Sequence, residues 1–327
     1  MQNSVPPRAQ QQPESNGQHE RPLDSVRVRA DTAVRRVFFV VTVLPIVLFA
    51  IVLIGLILRS LPILSAYPLD ALILGTVWKP TEQLFGFFPF IFSTVWVTVF
   101  SLVLAVPACV LVSLFLVEYA HPRTRAIAKP VLDLLAAIPP VVYGLWGILA
   151  VVPFVEEVIA PFAKQYLADT PLFAVTQPTG FSILAAGIVL AVMITPLIIA
   201  VMFEVFATIP ADLRNASLAV GATRLETIVR VLVPHVFPGM VAAIVLGASR
   251  AFGETIAVLM VVGNVTNIPQ SLFDTAYPLP ALLANNYGEM MSIPMYDAAL
   301  LCGGLILLVV ILFFNIASTL VLRRFTR

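Results

Sequence analysis

Arg250 and Glu254 are the residues of this chain whose types and spacing point most directly to chemistry. They lie four positions apart in an otherwise uncharged segment, 237–262, so one continuous helix there would place both side chains on the same face. A guanidinium carries a planar fork of donors that matches the oxygens of an oxyanion, and it stays charged at physiological pH. Two interpretations follow. Either Arg250 contacts an anion while Glu254 holds the guanidinium in place, or the two residues neutralise each other as an internal ion pair.

The composition of the whole chain explains why these two charges are informative. Of its 327 residues, 60% are hydrophobic and only 11% are charged, and the mean hydropathy is +0.99. Soluble domains carry about 25% charged residues, so the composition excludes an ordinary soluble protein and predicts an integral protein of the lipid membrane. The 19 basic and 18 acidic residues give a net charge of +1, which argues against a nucleic-acid partner.

The sequence offers little to a metal site, a cofactor or a catalytic centre. Cys109 and Cys302 lie far apart in apolar runs and the three histidines are scattered, so neither a metal-ligand spacing nor a disulfide framework is present. None of the three lysines stands in a Walker A motif, and neither His-Glu-x-x-His nor Gly-x-Ser-x-Gly occurs. We therefore expect no enzyme, no cofactor and no metal, and any ATP hydrolysis on a separate chain.

Six apolar segments are each long enough to cross a bilayer, which takes roughly 20 residues. They predict an all-α integral membrane protein with six transmembrane helices, at about 37–58, 90–117, 131–155, 181–206, 237–262 and 298–322. Residues 1–36 are rich in Gln, Pro, Arg and Ser and are predicted to be a disordered cytoplasmic tail. The transmembrane domain is then 37–327.

The distribution of basic residues predicts the orientation. Fifteen of the 19 Lys and Arg residues fall in the N-terminal tail, in the loops after the second and fourth spans, or at the C-terminus, whereas Arg59, Lys79 and Lys164 fall on the other side. The positive-inside rule therefore places both termini in the cytoplasm. Asp133 and Glu204 lie near the cytoplasmic ends of their spans and are predicted to reach the membrane interface.

The loop between the fourth and fifth spans, 208–236, is predicted to form two short helices separated by Gly221. A glycine suits the left-handed residue that ends a helix. Thr223 and Glu226 have the spacing of a capping box that opens the second helix, and Pro234 is expected to end it. Such a pair of helices either links two spans or presents a rigid docking element to a cytoplasmic partner.

This loop resembles the cytoplasmic motif of ABC importer permeases, written Glu-Ala-Ala, three residues, Gly, nine residues, Ile-x-Leu-Pro. The corresponding positions here are Asn215, Ala216, Ser217, Gly221 and Pro234. The resemblance implies a type I ABC importer permease fold, in which coupling helices at about 209–234 contact the ATPase subunits. Asn215 replaces the Glu that normally makes a charged contact to the ATPase, and Ser217 replaces an Ala.

A second resemblance is more specific. The stretch Gly247–Val258, GASRAFGETIAV, is similar to the Arg-Ala-x-Gly-Glu-Thr signature of phosphate permeases, and segments 134–148 and 185–199 resemble the third and fourth spans of the same family. Over about 93–262 the chain resembles the permease subunits of phosphate ABC transporters, of the PstC type. The resemblance implies that Arg250 and Glu254 line the substrate path.

The same resemblance implies the partners and the location. These are a second permease subunit of the PstA type as a heterodimer, two copies of a cytoplasmic ATPase subunit, and an extracytoplasmic phosphate-binding protein, in the cell (inner) membrane of a bacterium or archaeon. The alternatives are a permease for another oxyanion and a self-contained secondary anion transporter. The latter often shows inverted repeats and buried carboxylates. The sequence has no evident repeat, and Glu254 is its only acid deep within a predicted span.

Overall fold

Helices dominate the molecule because lipid offers no hydrogen-bond partner to a free peptide group, so each spanning segment satisfies its own backbone. The computed structural model describes residues 22–325 apart from 168, 176, 178 and 290–292. The helices are α1 (Pro22–Ala66), α2 (Leu69–Leu74), α3 (Phe88–Tyr119), α4 (Pro122–Ala136), α5 (Pro140–Tyr166), α6 (Ile183–Ala207), α7 (Ala211–Ala219), α8 (Arg224–Phe252), α9 (Ile256–Val261), α10 (Leu279–Asn286) and α11 (Tyr296–Phe325). Between α2 and α3 in sequence, β1 (Trp78–Lys79) pairs antiparallel with β2 (Leu84–Phe85).

Six helices of the described chain are long and apolar enough to cross a membrane, namely α1, α3, α5, α6, α8 and α11. The prediction of an all-α membrane protein with six spans is therefore confirmed. The chain divides into two compact units, Met1–Gly55 and Leu56–Arg327. The described part of the first unit is a single helical stretch, and the packing below concerns the second unit.

Helix α6 lies at the centre of the second unit, where it packs against α3, α4, α8 and α9. Small residues allow close approach: a Cβ on Gly187 of α6 would meet the Phe100 ring at 2.3 Å, and a Cβ on Gly247 of α8 would meet Ile198 at 2.5 Å. Close van der Waals packing of this kind is a main source of helix association in lipid. It holds α3, α6 and α8, the helices that position the site, against one another.

An aromatic cluster fixes the N-terminal end of α3. The ring of Trp78 lies 5.1 Å from those of Phe87 and Phe90 and 5.5 Å from that of Phe85, measured between centroids. The Phe90 ring in turn lies 5.4 Å from that of Tyr277. Aromatic pairs at such separations stabilise beyond the area they bury, so the start of α3 and the segment that leads to α10 are held together.

The third span differs from its predicted bounds of 131–155. Residues up to Ala136 belong to α4, and the spanning helix α5 runs from Pro140 to Tyr166. The cause is Pro139–Pro140, because a residue before proline avoids the helical region and Pro139 has an extended backbone (φ −59°, ψ 140°). Two π turns within α5 lie on either side of Pro153, where the missing N–H interrupts regular α-helical bonding.

The fifth span also differs from its predicted bounds of 237–262. Helix α8 begins at Arg224, continues through Pro234, and ends at Phe252, after which the short α9 covers the rest. A π turn at Ile228–Leu232 immediately precedes Pro234, and such a turn shifts the backbone bonding pattern where a proline cannot donate. Pro234 is therefore a helix-interior residue instead of the end of a short helix.

The N-terminal tail predicted for 1–36 is covered only in part, since residues 1–21 lie outside the described residues. Residues 22–36, expected to be disordered, form the beginning of α1. The segment 23–44 contains neither Gly nor Pro, so nothing interrupts the helix of the first span as it extends backwards.

Candidate functional site

The segment that carries Arg250 and Glu254 is a break between two helices. Helix α8 ends at Phe252, residues 253–255 are not helical, and α9 begins at Ile256. We call residues 253–255 the helix break. Arg250 therefore lies in the last turn of α8 and Glu254 lies within the break, which differs from the expectation that one continuous helix carries both on a single face.

Glu254 acts as a cap for the second helix. Its Oε1 accepts a hydrogen bond of 3.2 Å from the backbone N–H of Ala257, in the first turn of α9. A carboxylate at a helix start satisfies an otherwise unpaired N–H and interacts favourably with the positive end of the helix dipole. This role is local, and it directs the carboxylate toward α9.

Arg250 is half-buried and stays available for a further partner. The ion pairs of the described residues do not include it, so the internal Arg250–Glu254 pair is not formed. Its charge lies within electrostatic range of the Tyr143 hydroxyl on α5. The negative end of the α8 dipole favours a cation at this position, but a dipole neutralises only part of a full charge.

A narrow cavity lies beside Glu254. It is lined by Thr94 and Thr98 of α3, by residues of α6, α8 and α9, and by Pro278 and Pro280 before and within α10, and it has a volume of about 10 Å³. A space of that size admits about one water molecule. Thr94 joins α3 to the start of α10, because its Oγ1 accepts a 2.9 Å hydrogen bond from the Leu279 N–H. The helix break is therefore packed against α3 and α10.

The loop between α6 and α8 forms the expected turn between two helices, which we call the hairpin (residues 209–234). Gly221 has φ +90°, and the capping box is confirmed: Thr223 Oγ1 accepts from the Glu226 N–H at 3.2 Å, and Glu226 Oε2 accepts from the Thr223 N–H at 2.9 Å. The second helix is not a separate short helix, because it continues into the membrane as α8. Any displacement of the hairpin is therefore applied directly to a spanning helix.

The residues of the importer motif occupy different positions on the hairpin. Asn215 and Ala216 are exposed on α7, Gly221 is exposed at the turn, and Pro234 is exposed on α8. Ser217 is half-buried, and its hydroxyl lies 2.9 Å from that of Thr227, which joins α7 to α8.

The exposed surface of the hairpin includes several large apolar side chains. Val220 is 85% exposed and Leu225 is 65% exposed, and Leu218 and Val229 are also exposed. Exposed apolar side chains, when they are grouped, are typical of protein-binding surfaces. The hairpin thus combines a fixed backbone with a surface suited to a partner.

Sequence reasoning missed the contact that fastens the hairpin to the bundle. Arg214 of α7 donates from Nε to Glu118 Oε2 at 3.0 Å, and its Nη2 donates to the other carboxylate oxygen. Glu118, at the C-terminal end of α3, is only 9% exposed. The available signals were an acid at the end of an apolar span and an Arg next to Asn215, but no local spacing pairs residues 96 positions apart.

A second ion pair joins α4 to α6. Lys129 donates to Glu204 Oε1, and the two side chains are 56% and 58% exposed. The hydrogen bond to Glu204 raises the pKa of Lys129. Asp133 lies beside them, at a cavity of about 190 Å³ whose other walls are mainly apolar. The placement of Asp133 and Glu204 at the membrane interface stays a prediction.

The comparisons with known proteins agree with this arrangement. A family model described as "Binding-protein-dependent transport system inner membrane component" matches residues 110–327. The chain is 31% identical over 282 residues to the "Probable phosphate transport system permease protein PstC" of Methanocaldococcus jannaschii, covering 85% of this chain and 89% of the relative. It is 33% identical over 281 residues to the "Phosphate transport system permease protein PstC" of Haemophilus influenzae, covering 85% and 88%.

A solved structure shares the fold. A chain of a bacterial alginate ABC transporter, crystallised in complex with an alginate pentasaccharide-bound periplasmic protein, superposes with a TM-score of 0.60 at 17% identity, covering 94% of this chain and 99% of that one. The likeness shows that the fold is that of an ABC importer permease. The family match over two-thirds of the sequence, the two relatives and six spanning helices agree, and this multi-pass membrane protein belongs to the family of binding-protein-dependent transport system inner membrane components.

Proposed function

We propose that this chain is the permease subunit of an ATP-driven ABC importer that carries inorganic phosphate across the cell membrane. The observation that carries the proposal is Arg250, a half-buried cation at the end of a spanning helix with no acidic partner among the described residues. Ionisable residues within membrane-spanning segments are rare because a charge is costly in lipid, and they mark ion paths. The names of the relatives select phosphate as the anion.

In this proposal Arg250 contacts the anion and Glu254 limits how tightly it is held. The guanidinium matches two phosphate oxygens at once. Non-helical backbone at membrane depth is tolerated where it is buried in protein or lines a water-filled cavity, and the helix break next to Arg250 fits that description. A nearby carboxylate weakens anion binding, which conduction requires because a tightly bound ion does not leave.

The hairpin is the proposed docking surface for one of two cytoplasmic ATPase subunits, and the second permease subunit would carry the other. Its exposed Val220 and Leu225 offer apolar contact area, and Asn215 offers an uncharged polar contact where the family has Glu. ATP binding by these partners would push the hairpin and rock the helices that continue from it. This chain itself hydrolyses no ATP in this scheme.

The remaining partners complete the transport path. Six spans form half of a pore, so a second permease subunit of the PstA type supplies the other half. An extracytoplasmic phosphate-binding protein delivers the anion on the side opposite the hairpin. With the hairpin in the cytoplasm and six spans in the chain, both termini are cytoplasmic as well, in agreement with the basic residues there.

The test is uptake of labelled phosphate by proteoliposomes that contain the whole transporter, with and without ATP, and with sulfate or molybdate as competitors. We expect ATP-dependent uptake that unlabelled phosphate inhibits far better than the other two anions. Arg250→Gln should abolish uptake while the ATPase subunits still co-purify. Arg59→Gln is the matched control, since Arg59 is an exposed arginine whose contact to Asp297 is a long 3.7 Å.

Three outcomes would contradict the proposal. Uptake driven by an ion gradient without ATP would indicate a secondary transporter, and equal competition by sulfate or molybdate would indicate a different oxyanion. Normal uptake by Arg250→Gln would remove Arg250 from the path.

A further inference from the structure

Helices α8 and α3 both run between the hairpin and the surroundings of the helix break. Helix α8 is continuous from Arg224 to Phe252. Glu118, in the last turn of α3, lies beside the hairpin, and near the other end of α3 Thr94 and Thr98 line the cavity next to Glu254. At a rise of about 1.5 Å per residue, α3 covers roughly 36 Å between Thr94 and Glu118. Helices α6 and α8 are connected to the hairpin through the backbone, whereas α3 is not, so the link from the hairpin to α3 depends on side chains.

That link is the Arg214–Glu118 pair, which differs from the other ion pairs of the described residues. It is bidentate, and its side chains are 30% and 9% exposed. In each of the other pairs both side chains are more than a third exposed. Exposed ion pairs contribute little to stability because water screens them. A bidentate pair whose carboxylate is only 9% exposed fixes the geometry of both side chains, because separating them would leave a poorly solvated charge without its partner.

The end of α3 is held so that it can carry a displacement. Arg125 of α4 donates to the carbonyl oxygens of Leu116, at 3.1 Å, and of Val117. These carbonyls lie in the π turn Phe115–Tyr119 that ends α3, where a helix has no further N–H groups of its own to offer. Glu118 is therefore presented from a fixed turn instead of a frayed one.

Arg214, the other residue of the pair, is also held in a fixed position. Arg214 is on α7, and α7 is joined to α8 by the Ser217–Thr227 contact and by the turn at Gly221 with its capping box. Side-chain hydrogen bonds thus connect α7 to the beginning of α8, and the Arg214–Glu118 ion pair connects α7 to the end of α3.

We propose that the Arg214–Glu118 pair is a side-chain mechanical connection, by which a displacement of the hairpin reaches α3 as well as the helices joined to the hairpin through the backbone. Arg214 and Glu118 are positioning residues in this scheme. Helices α3 and α8 both line the cavity beside Glu254. A displacement that moves both helices together would therefore move these walls of the cavity at the same time. This inference rests on the proposed function, since it assumes that a partner displaces the hairpin.

The test compares phosphate transported per ATP hydrolysed in the reconstituted transporter. For Glu118→Gln and Arg214→Gln we expect ATPase association and hydrolysis within about twofold of the native transporter, and a loss of about tenfold in phosphate per ATP. The charge-reversed double variant, Glu118→Arg with Arg214→Glu, should recover at least half of that loss. The matched control is Lys129→Gln with Glu204→Gln, an exposed pair that does not involve the hairpin, and it should stay within about twofold.

A covalent substitute for the pair gives a second measurement. Cysteines introduced as Glu118→Cys and Arg214→Cys are joined by a short, reducible bis-thiosulfonate reagent, with each single cysteine variant as control. Transport should continue in the joined transporter. The inference is overturned if joining stops transport and reduction restores it, since α7 and α3 would then have to separate.

It is also overturned if the single glutamine variants transport normally, or if reversal recovers nothing in an assembled transporter. Failure of the native transporter to carry phosphate with ATP would instead contradict the proposed function.

Discussion

The hairpin and the helix break both interrupt helices at a glycine, yet they are built in opposite ways. In the hairpin the polar groups pair with one another: Thr223 with Glu226, and Ser217 with Thr227. Its exposed surface includes the large apolar side chains of Val220 and Leu225. At the helix break, Glu254 does not pair with Arg250 of the preceding α8 turn, although the two are four positions apart. A region whose polar side chains pair with one another is suited to rigid docking. A region in which a charged side chain has no ion-pair partner is suited to binding a charged ligand.

The two glycines show the same contrast. Gly221 has φ +90°, which only glycine adopts without strain, and a Cβ there would meet nothing within 4 Å. Gly253 has φ −88°, which any residue adopts, and a Cβ there would first meet the Arg250 carbonyl oxygen at 3.7 Å. The turn in the hairpin therefore depends on its glycine, whereas the helix break depends on the Glu254 cap and the packing around it.

Arg250→Lys should have the largest effect of the changes that probe this contrast. It keeps the charge but removes the planar fork, so one charge-assisted hydrogen bond to phosphate is lost, at about 1.5–3 kcal/mol. We expect the KM for phosphate uptake to rise on the order of 10- to 100-fold with ATPase association unchanged. An unchanged KM would mean that only charge matters at this site.

Replacing each glycine separately by alanine should destabilise the hairpin but not the helix break. Gly221→Ala places a side chain in the left-handed region and should destabilise the protein by about 1–2 kcal/mol. Gly253→Ala should change stability by less than about 0.5 kcal/mol. A thiol-reactive fluorophore can follow thermal unfolding, because Cys109 and Cys302 are both buried. Equal melting temperatures of the two variants would contradict the contrast.

Removing the cap of the hairpin should have a smaller effect. Thr223→Ala leaves the Glu226 N–H without its acceptor, which costs about 1 kcal/mol. Thr223→Ser keeps the hydroxyl and should restore most of the stability in the same fluorophore assay. If serine is as unstable as alanine, then the methyl group of Thr223 matters and the capping box does not.

The smallest expected effect is that of Glu254→Gln. The amide oxygen still accepts from the Ala257 N–H, so the helix break should persist, but the negative charge near Arg250 is gone. In a site open to water, unit charges more than about 4 Å apart interact by less than about 1 kcal/mol. We therefore expect phosphate to bind on the order of threefold more tightly and maximal uptake to fall by a similar factor. Weaker phosphate binding would show that Glu254 supports the site instead of limiting it.

Much of the fold follows from local sequence. Each spanning helix is predicted by its own apolar run, and the hairpin turn by Gly221, Thr223 and Glu226, since these signals act within a few residues. The bounds of the third and fifth spans were not predicted, and the helix of the first span is longer than its predicted 37–58 at both ends. Proline acted in opposite ways, for Pro139–Pro140 separated α4 from α5, whereas α8 runs through Pro234 with the aid of a π turn. Which outcome occurs depends on packing that a proline in the sequence does not reveal.

The candidate site was predicted by residue type and not by arrangement. Arg250 and Glu254 were identified because charges are rare in apolar segments, but their helical spacing suggested a shared face that the helix break removes. The Arg214–Glu118 pair was not identified at all, because it joins residues 96 positions apart. Tertiary packing alone brings such residues together.

The sequence by itself determined that this is a six-span membrane protein with a capped hairpin and a rare membrane arginine, because hydropathy, capping and charge placement are properties of short segments. Only the tertiary structure decided that Arg250 has no ion-pair partner in the described chain, that Glu254 caps α9, and that Glu118 holds Arg214. Those outcomes depend on how α3, α6 and α8 pack, and packing sums many weak contacts between segments distant in sequence.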